Sequence, residues 1–355
     1  MTTTWDPAPF RDRVQQVLDA FLDEREAELE PLGPDATRLI TEGRTAVRGG
    51  KRFRAAFCHW GYRAIRAEVP DEAALARACA SLEMLHASAL VHDDFMDASD
   101  TRRGRPATHR AFEAEHRASG WRGDPEQYGA AAAILLGDLL LGWGEDMLRR
   151  SGFGPDETAS GLALFEQCRN EVIAGQFLDV SVQARGRADV DTAMTVLRYK
   201  SAKYSIERPL HIGAGLAGAS AAQIDQLTRF GLPLGEAFQL RDDLLGVFGD
   251  PEATGKPAGD DLAEGKRTVL VALALDAAPP AAAQRLDAAL GTTLSPADVD
   301  ELRGIIEDSG ARAQVEEVIG SLADHAVEAL RAADVDEQAR VVLTELAAAA
   351  TQRTV

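Results

Sequence analysis

Leu75–Asp97 reads LARACASLEMLHASALVHDDFMD. Leu75, Cys79, Leu82, Leu85 and Ala89 recur at three or four, the period of one helix face. The stretch ends in Asp93, Asp94 and Asp97. On a helix Asp93 and Asp97 stand at i,i+4 and Asp94 and Asp97 at i,i+3, so all three project near one edge of a single turn. Like charges so placed destabilise a helix. A solvated acidic face would tolerate them. Here, however, they follow the apolar turn Ala87-Ser88-Ala89-Leu90-Val91, which favours a bound cation. Oxygen-only ligands suit Mg²⁺, which takes a few carboxylates together with water and phosphate oxygens.

Helical spacing continues on both sides of this stretch. Val14, Leu18, Phe21 and Leu22 repeat at three or four, and Ile134–Met147 and Leu162–Val182 behave likewise. Alternating strand patterns and hairpin turns of the Asn-Gly or Asp-Gly type are scarce. The expected fold is all-α, a single-domain helical bundle over residues 1–355. An N-terminal helix falls within 1–35 and further helices within 280–355. Helix breaks are expected at Pro31–Pro34, Gly120–Pro125, Gly152–Pro155, Gly186–Asp191, Gly249–Pro257 and Pro279-Pro280.

The net charge of −19 argues against a nucleic-acid binder, which needs a basic face. Cys58, Cys79 and Cys168 are widely spaced in apolar surroundings. They read as buried thiols of a reducing, cytoplasmic compartment, with neither a disulfide framework nor zinc-type spacing. No uninterrupted apolar run approaches about 18 residues, so no integral membrane segment is expected.

A second acidic pair, Asp242-Asp243, closes the run Phe238-Gln239-Leu240-Arg241-Asp242-Asp243. Folding back of the long intervening stretch would bring the two clusters face to face. Three cationic segments accompany them. Arg102, Arg103 and Arg105 follow the first cluster; they could neutralise it, but Arg is also the preferred bidentate partner of phosphate. Gly49-Gly50-Lys51-Arg52-Phe53-Arg54 places glycines before a helix, where free N–H groups and close backbone approach suit an anion. Gly255-Lys256 and Gly265-Lys266 follow the second cluster in a turn-rich segment that is either a solvated loop or a closure over phosphate. There is no Ser-His-Asp arrangement and no Walker-type spacing. Carboxylates for metal beside cations for phosphate suit a Mg²⁺-diphosphate.

These residues resemble the trans-isoprenyl diphosphate synthases, or polyprenyl synthetases, and within them the bacterial geranylgeranyl diphosphate synthases. The likeness is strongest over 43–268. Gly50-Lys51-Arg52-Phe53-Arg54 is similar to the family's Gly-Lys-Arg-x-Arg. Asp93–Asp97 with Arg102-Arg103-Gly104 resembles its first aspartate-rich motif, and Gly175-Gln176-Phe177-Leu178-Asp179 its Gly-Gln-x-x-Asp. Lys200-Ser201 stands where Lys-Thr is usual, and Phe238–Asp243 opens the second aspartate-rich motif.

The resemblance implies a prenyltransferase, usually a homodimer, that joins isopentenyl diphosphate head-to-tail to dimethylallyl, geranyl or farnesyl diphosphate. By that similarity Lys51, Arg54, His86 and Arg103 hold isopentenyl diphosphate. Arg102, Lys200, Lys256 and Lys266 grip the allylic diphosphate, and Ser201 and Gln239 line the reaction centre. Asp93, Asp97 and Asp242 carry Mg²⁺, supported by Asp94 and Asp243, with about three ions when substrate is bound. One departure stands out. The second motif usually ends in a third aspartate, and here that position is Gly246, with Asp250 or Asp261 as possible substitutes.

Product length is expected to depend on the helix carrying the first motif. One helical turn is about 5.4 Å, roughly one isoprene unit. Ser88 and Ala89, one turn before Asp93, are small, where family members that stop at farnesyl carry aromatics. The next floor is Leu85, then Leu82, with Met84 nearby, and Phe177 is a further candidate. Geranylgeranyl diphosphate is the expected product, and a longer polyprenyl diphosphate the alternative. A class I terpene cyclase fails at its second metal motif, since Asn170 is followed four residues on by Ala174. A non-catalytic partner subunit could lose its aspartates, and this chain keeps the first set complete.

Overall fold

The structure, a computed structural model, describes residues 5–187, 189–249 and 259–352. It divides into two compact units. The first comprises Met1–Glu166, Pro209–Ser220 and Val335–Val342, and the second Gln167–Arg208, Ala221–Asp334 and Leu343–Val355. Each carries one of the two acidic clusters.

In the first unit, α1 (Pro7–Leu29), α2 (Pro34–Ala46), α3 (Phe53–Ile65), α5 (Thr108–Ser119) and α6 (Pro125–Arg149) surround α4 (Glu72–Met96). Local sequence sets their ends. Asp6, Asp71 and Asp124 each accept a backbone N–H at a helix start, and Pro7 and Pro125 occupy first helical positions, where a missing N–H costs nothing. By length and hydropathy α4 could cross a membrane, a property the sequence reading passed over. Most of its apolar stretch lies inside the unit, which makes it the central core helix. Leu75, Leu82, Met84 and Leu85 on α4 are buried together with Leu18, Ile40, Phe57, Trp60, Leu136 and Phe165.

Two strands, β1 (Thr101–Arg102) and β2 (Arg105–Pro106), form a minimal antiparallel hairpin after α4. Its turn residues, Arg103 and Gly104, both have positive φ, as the right-handed strand twist demands of a two-residue turn.

Helix α7 (Pro155–Arg185) runs from the first unit into the second. There α8 (Val190–Val196) continues into a π-helical segment, Leu197–Glu207, and then α9 (Arg208–Leu216), most of which belongs to the first unit. Helix α10 (Ala221–Phe248) packs on the π segment and on a long C-terminal helix, α15 (Ala311–Ala332). Between α10 and α15 lie α11 (Asp260–Ala263), α12 (Val269–Ala277), α13 (Pro280–Ala289) and α14 (Pro296–Asp308), and α16 (Glu337–Thr351) closes the chain. The second unit has its own core, with Leu240, Leu244, Val247, Leu262, Leu270, Leu302, Ile306 and Val315 in contact.

Candidate active site

In the first unit the three carboxylates end α4. Asp97 is the C-cap, its N–H donating to the Asp93 carbonyl at 2.8 Å. Asp94 is buried and accepts from Arg102 Nε at 2.8 Å and also from Nη2, which lies 3.7 Å from Asp93 Oδ2. The ion-pair reading of Arg102 is therefore realised, through Asp94 above all.

The glycine-rich loop before α3 holds an unusual backbone. Gly49, Gly50 and Arg52 all have positive φ, which glycine alone adopts without cost. At Gly50 the missing side chain also matters: an added Cβ would stand 3.3 Å from Arg103 Nη2. Arg103 in turn donates from Nη1 to the Arg48 carbonyl at 2.6 Å.

Arg52 turns inward. It donates to Glu83 Oε2 at 2.9 Å, to Gln15 Oε1 at 2.7 Å and to the Val47 carbonyl at 2.6 Å. Glu83 Oε1 accepts the Ala55 N–H of the first α3 turn at 3.3 Å. The N–H groups expected to be open to an anion there are thus partly taken by a protein carboxylate. Sequence reasoning missed Arg52 and Glu83 as positioning residues. The available signal was a single glutamate inside the apolar run Leu82-Glu83-Met84-Leu85.

His86 is half-buried on α4. Burial, then the guanidiniums of Arg54, Arg103, Arg102 and Arg52, push its pKa well below the usual range, so its imidazole is neutral near pH 7. Burial and the same neighbours, Arg52, Arg102 and Arg54, also lower Arg103, although Glu83 pulls the other way. Glu83 neutralises Arg52 and Asp94 neutralises Arg102, and the positive field that still acts on His86 and Arg103 is one that a bound anion would relieve. A cavity of about 260 Å³ opens beside Gly49, Asp94, Arg102 and Arg103, with Arg48 and Arg105 adding to its positive rim. Lys51 is exposed on the same loop.

In the second unit Asp242 is half-buried and Asp243 buried on α10. Gln239 Nε2 donates to Asp243 Oδ1 at 2.8 Å. Burial, then the carboxylates of Asp261 and Asp242, push the Asp243 carboxyl up to about 8, against the opposing pull of Gln239 and Lys266. This oxygen-rich neighbourhood is short of positive charge, and its donor set fits Mg²⁺. Among the described residues no three His, Cys, Asp or Glu side chains already form a metal cage. Mg²⁺ does not require one, because it completes its shell with water and phosphate. Arg241 anchors this end of α10, bidentate to Glu316 at 2.6 Å for both bonds and with Nε donating to the Thr351 carbonyl at 3.0 Å.

Lys200 and Ser201 lie on the π-helical segment, a distortion often found at functional positions. Lys200 Nζ donates to the buried Asp179 at 2.7 Å. Gly175, one turn before Asp179 on α7, lets the two backbones meet: a Cβ there would collide with Lys200 N and the Tyr199 carbonyl carbon. Lys266 Nζ pairs with Asp261 Oδ1 at 3.4 Å and with Glu264. Lys256 and Asp250 lie outside the described residues.

Of the residues expected to set product length, Leu82, Met84 and Leu85 are buried. Ser88 is buried too, its hydroxyl donating to the Gly137 carbonyl of α6 at 2.8 Å, whereas Ala89 is half-buried. Phe177 on α7 is 74% exposed.

Residues 39–308 match the polyprenyl synthetase family. The chain belongs to that family. It is a trans-prenyl diphosphate synthase of the all-α fold. The geranylgeranyl pyrophosphate synthase of Corynebacterium glutamicum, solved with isoprenyl diphosphate and magnesium, is 42% identical with a TM-score of 0.96, over 99% of this chain and 100% of that one. The geranylfarnesyl diphosphate synthase of Aeropyrum pernix is 32% identical over 74% of this chain and 77% of its own length. The farnesyl diphosphate synthase of Geobacillus stearothermophilus is 32% identical over 71% and 80%. These relatives differ in product length, so membership assigns the reaction and leaves the length open.

Proposed function

We propose that this synthase makes geranylgeranyl diphosphate by Mg²⁺-dependent, head-to-tail condensation of isopentenyl diphosphate with an allylic diphosphate. The observation that carries the substrate assignment is the cavity beside Gly49, Asp94, Arg102 and Arg103, with Arg54, Arg102 and Arg103 acting on neutral His86, at the end of the helix that carries Asp93, Asp94 and Asp97. Lys51, Arg54, His86 and Arg103 bind the isopentenyl diphosphate. Neutral His86 donates a hydrogen bond without adding charge. Arg102, Lys200 and Lys266 bind the allylic diphosphate, with Ser201 and Gln239 beside the reacting carbons.

Asp93, Asp97 and Asp242 hold Mg²⁺, with Asp94 and Asp243 in support. Bound Mg²⁺ stabilises the negative charge that develops on the departing pyrophosphate. The arginines and lysines add fixed positive charge to the same group, which costs no reorganisation during the reaction. Apolar side chains such as Leu85 exclude water, which would otherwise quench an allylic cation.

The length assignment rests on Ala89. It is small and half-buried, whereas Ser88 is turned into α6 and Leu85 and Leu82 are buried one and two turns deeper. Growth past the first turn, with a stop at Leu85, fits twenty carbons. A homodimer is part of the reading, because α6 presents Ile134 and Leu135 at 44% and 59% exposure, a suitable seat for a second copy.

The test is incubation of the purified chain with Mg²⁺, isopentenyl diphosphate and each of dimethylallyl, geranyl and farnesyl diphosphate, followed by dephosphorylation and chromatography. Geranylgeraniol is expected from all three primers. A farnesol or longer main product overturns the length, and absence of incorporation overturns the substrate assignment. Light scattering on the eluting protein reads the dimer, and a monomer mass overturns that part.

A further inference from the structure

The two acidic clusters are unequal. Asp93, Asp94 and Asp97 place three carboxylates on the last turn of α4, at i, i+1 and i+4. Asp242 and Asp243 on α10 repeat the first two positions, and the i+4 position is Gly246. A side chain there would project along the same helix edge as Asp242.

That space is filled from another element. A Cβ added at Gly246 would collide with Cγ and Oδ2 of Asp261, with Oδ1 3.1 Å away. Asp261 is the second residue of α11 and its side chain is 13% exposed. It is firmly placed. The next residue, Leu262, is buried in the core with Leu240 and Leu244, and the Lys266 N–H donates to the Asp261 carbonyl at 3.0 Å. The Asp261 carboxylate is also close enough to act electrostatically on Asp243. The alternative partner for Asp261 is Lys266 Nζ at 3.4 Å, and that cation is shared with Glu264.

We infer that Asp261 supplies the third carboxylate of the second cluster, delivered from α11, and that Gly246 is the notch that admits it. The inference rests on the reading of Asp242 as a Mg²⁺ ligand and extends it to a residue outside the α10 motif. Asp261 acts as a positioning residue, through Asp242 and Asp243 and the water that a metal bound there would carry, and makes no direct bond to the metal. Gly246→Asp then does not complete the cluster. It expels Asp261 and puts two carboxylates in one space.

Calorimetric titration of the full-length chain with Mg²⁺ in the presence of inorganic pyrophosphate tests this, with a melting curve for each variant. Asp261→Asn keeps the shape and removes the charge. It is expected to weaken Mg²⁺ binding by about tenfold or more, the usual cost of losing a supporting group around a metal. Gly246→Asp alone is expected to weaken it as well. The exchange Gly246→Asp with Asp261→Gly is expected to restore binding to within about threefold of the parent, a recovery that a purely structural Asp261–Lys266 pair would not produce. Unchanged affinity in Asp261→Asn, or no recovery in the exchange, overturns the inference. Asp242→Asn separates the two levels. If it too leaves Mg²⁺ binding unchanged, the metal site itself is misassigned; if it weakens binding and Asp261→Asn does not, only the role of Asp261 falls.

Discussion

Arg52 and Glu83 form an ion pair at 2.9 Å with both side chains 4% exposed. It ties the glycine-rich loop to the helix that carries the first carboxylates. Removing one partner of a buried pair strands the other charge. Glu83→Ala is therefore expected to destabilise the chain by about 3 kcal/mol, read as a shift in the guanidinium unfolding midpoint. It is also expected to raise the KM for isopentenyl diphosphate, because the loop holds Lys51. A stability change without any change in KM would show that the pair supports the fold alone.

The carboxylates of α4 are expected to be indispensable for turnover. Asp93→Ala or Asp97→Ala should lower kcat by several orders of magnitude while the helical circular dichroism spectrum is retained. Near-parental turnover in a folded Asp93→Ala protein would remove Asp93 from the metal site.

Two diphosphates imply separable defects. Lys51→Ala and Arg54→Ala are expected to raise the KM for isopentenyl diphosphate on the order of tenfold to a hundredfold, the worth of one charged hydrogen bond. Lys200→Ala and Lys266→Ala should act mainly on the allylic substrate. Equal effects of all four on both substrates would undo the division.

Product length should respond to Ala89. Ala89→Phe is expected to shorten the product to farnesyl diphosphate, as seen by chromatography after dephosphorylation. Leu85→Ala should lengthen it, at a stability cost of about 2–5 kcal/mol for an emptied core position. An Ala89→Phe enzyme that still makes the parental product would place the growing chain on another face of α4.

Stability should fall on mild acidification. Burial, then Arg63 and Arg13, push His59 down to about 3. The unfolded chain takes up a proton near the ordinary histidine pKa of about 6.5, and the folded chain does not. The unfolded state therefore binds more protons, so folding stability is full above about 6.5 and declines as pH drops toward 3. His86, also lowered, acts with the same sign. Between about pH 6.5 and 5 the ordinary carboxylates stay ionised. Buried Asp243, pushed up to about 8, keeps a proton in the folded chain that the unfolded chain releases, and so opposes the decline. Lowered His59 and His86 together outweigh it. In this window His59→Gln is expected to flatten the decline in unfolding midpoint. An unchanged slope would mean that His59 is protonated in the folded chain.

Much of the fold was legible because its signals are local. Periodicity at three and four marked the helices, and proline and glycine marked their ends: α2 begins at Pro34, α6 at Pro125, α7 at Pro155 and α13 at Pro280. Cys58, Cys79 and Cys168 are buried and form no disulfide, as their apolar surroundings implied. The hairpin Thr101–Pro106 was not legible, because two-residue strands carry no alternation and its turn is Arg-Gly rather than Asn-Gly. The π-helical segment was equally hidden, since Lys200 and Ser201 follow an ordinary helical spacing.

By itself the sequence determined that the chain is helical, that it carries two acidic clusters with cations close by, and which reaction class those motifs belong to. Each of these is written in residue type and short spacing. Tertiary structure alone decided that Arg52 faces Glu83 and is withdrawn from any ligand, and that Ser88 spends its hydroxyl on Gly137 while Ala89 stays half-open. It alone decided that Gly175 admits the backbone of Lys200, and that Asp261 fills the space beside Gly246. These relationships join residues far apart in the chain. They depend on which helix faces pack together and how closely, and no local spacing encodes that.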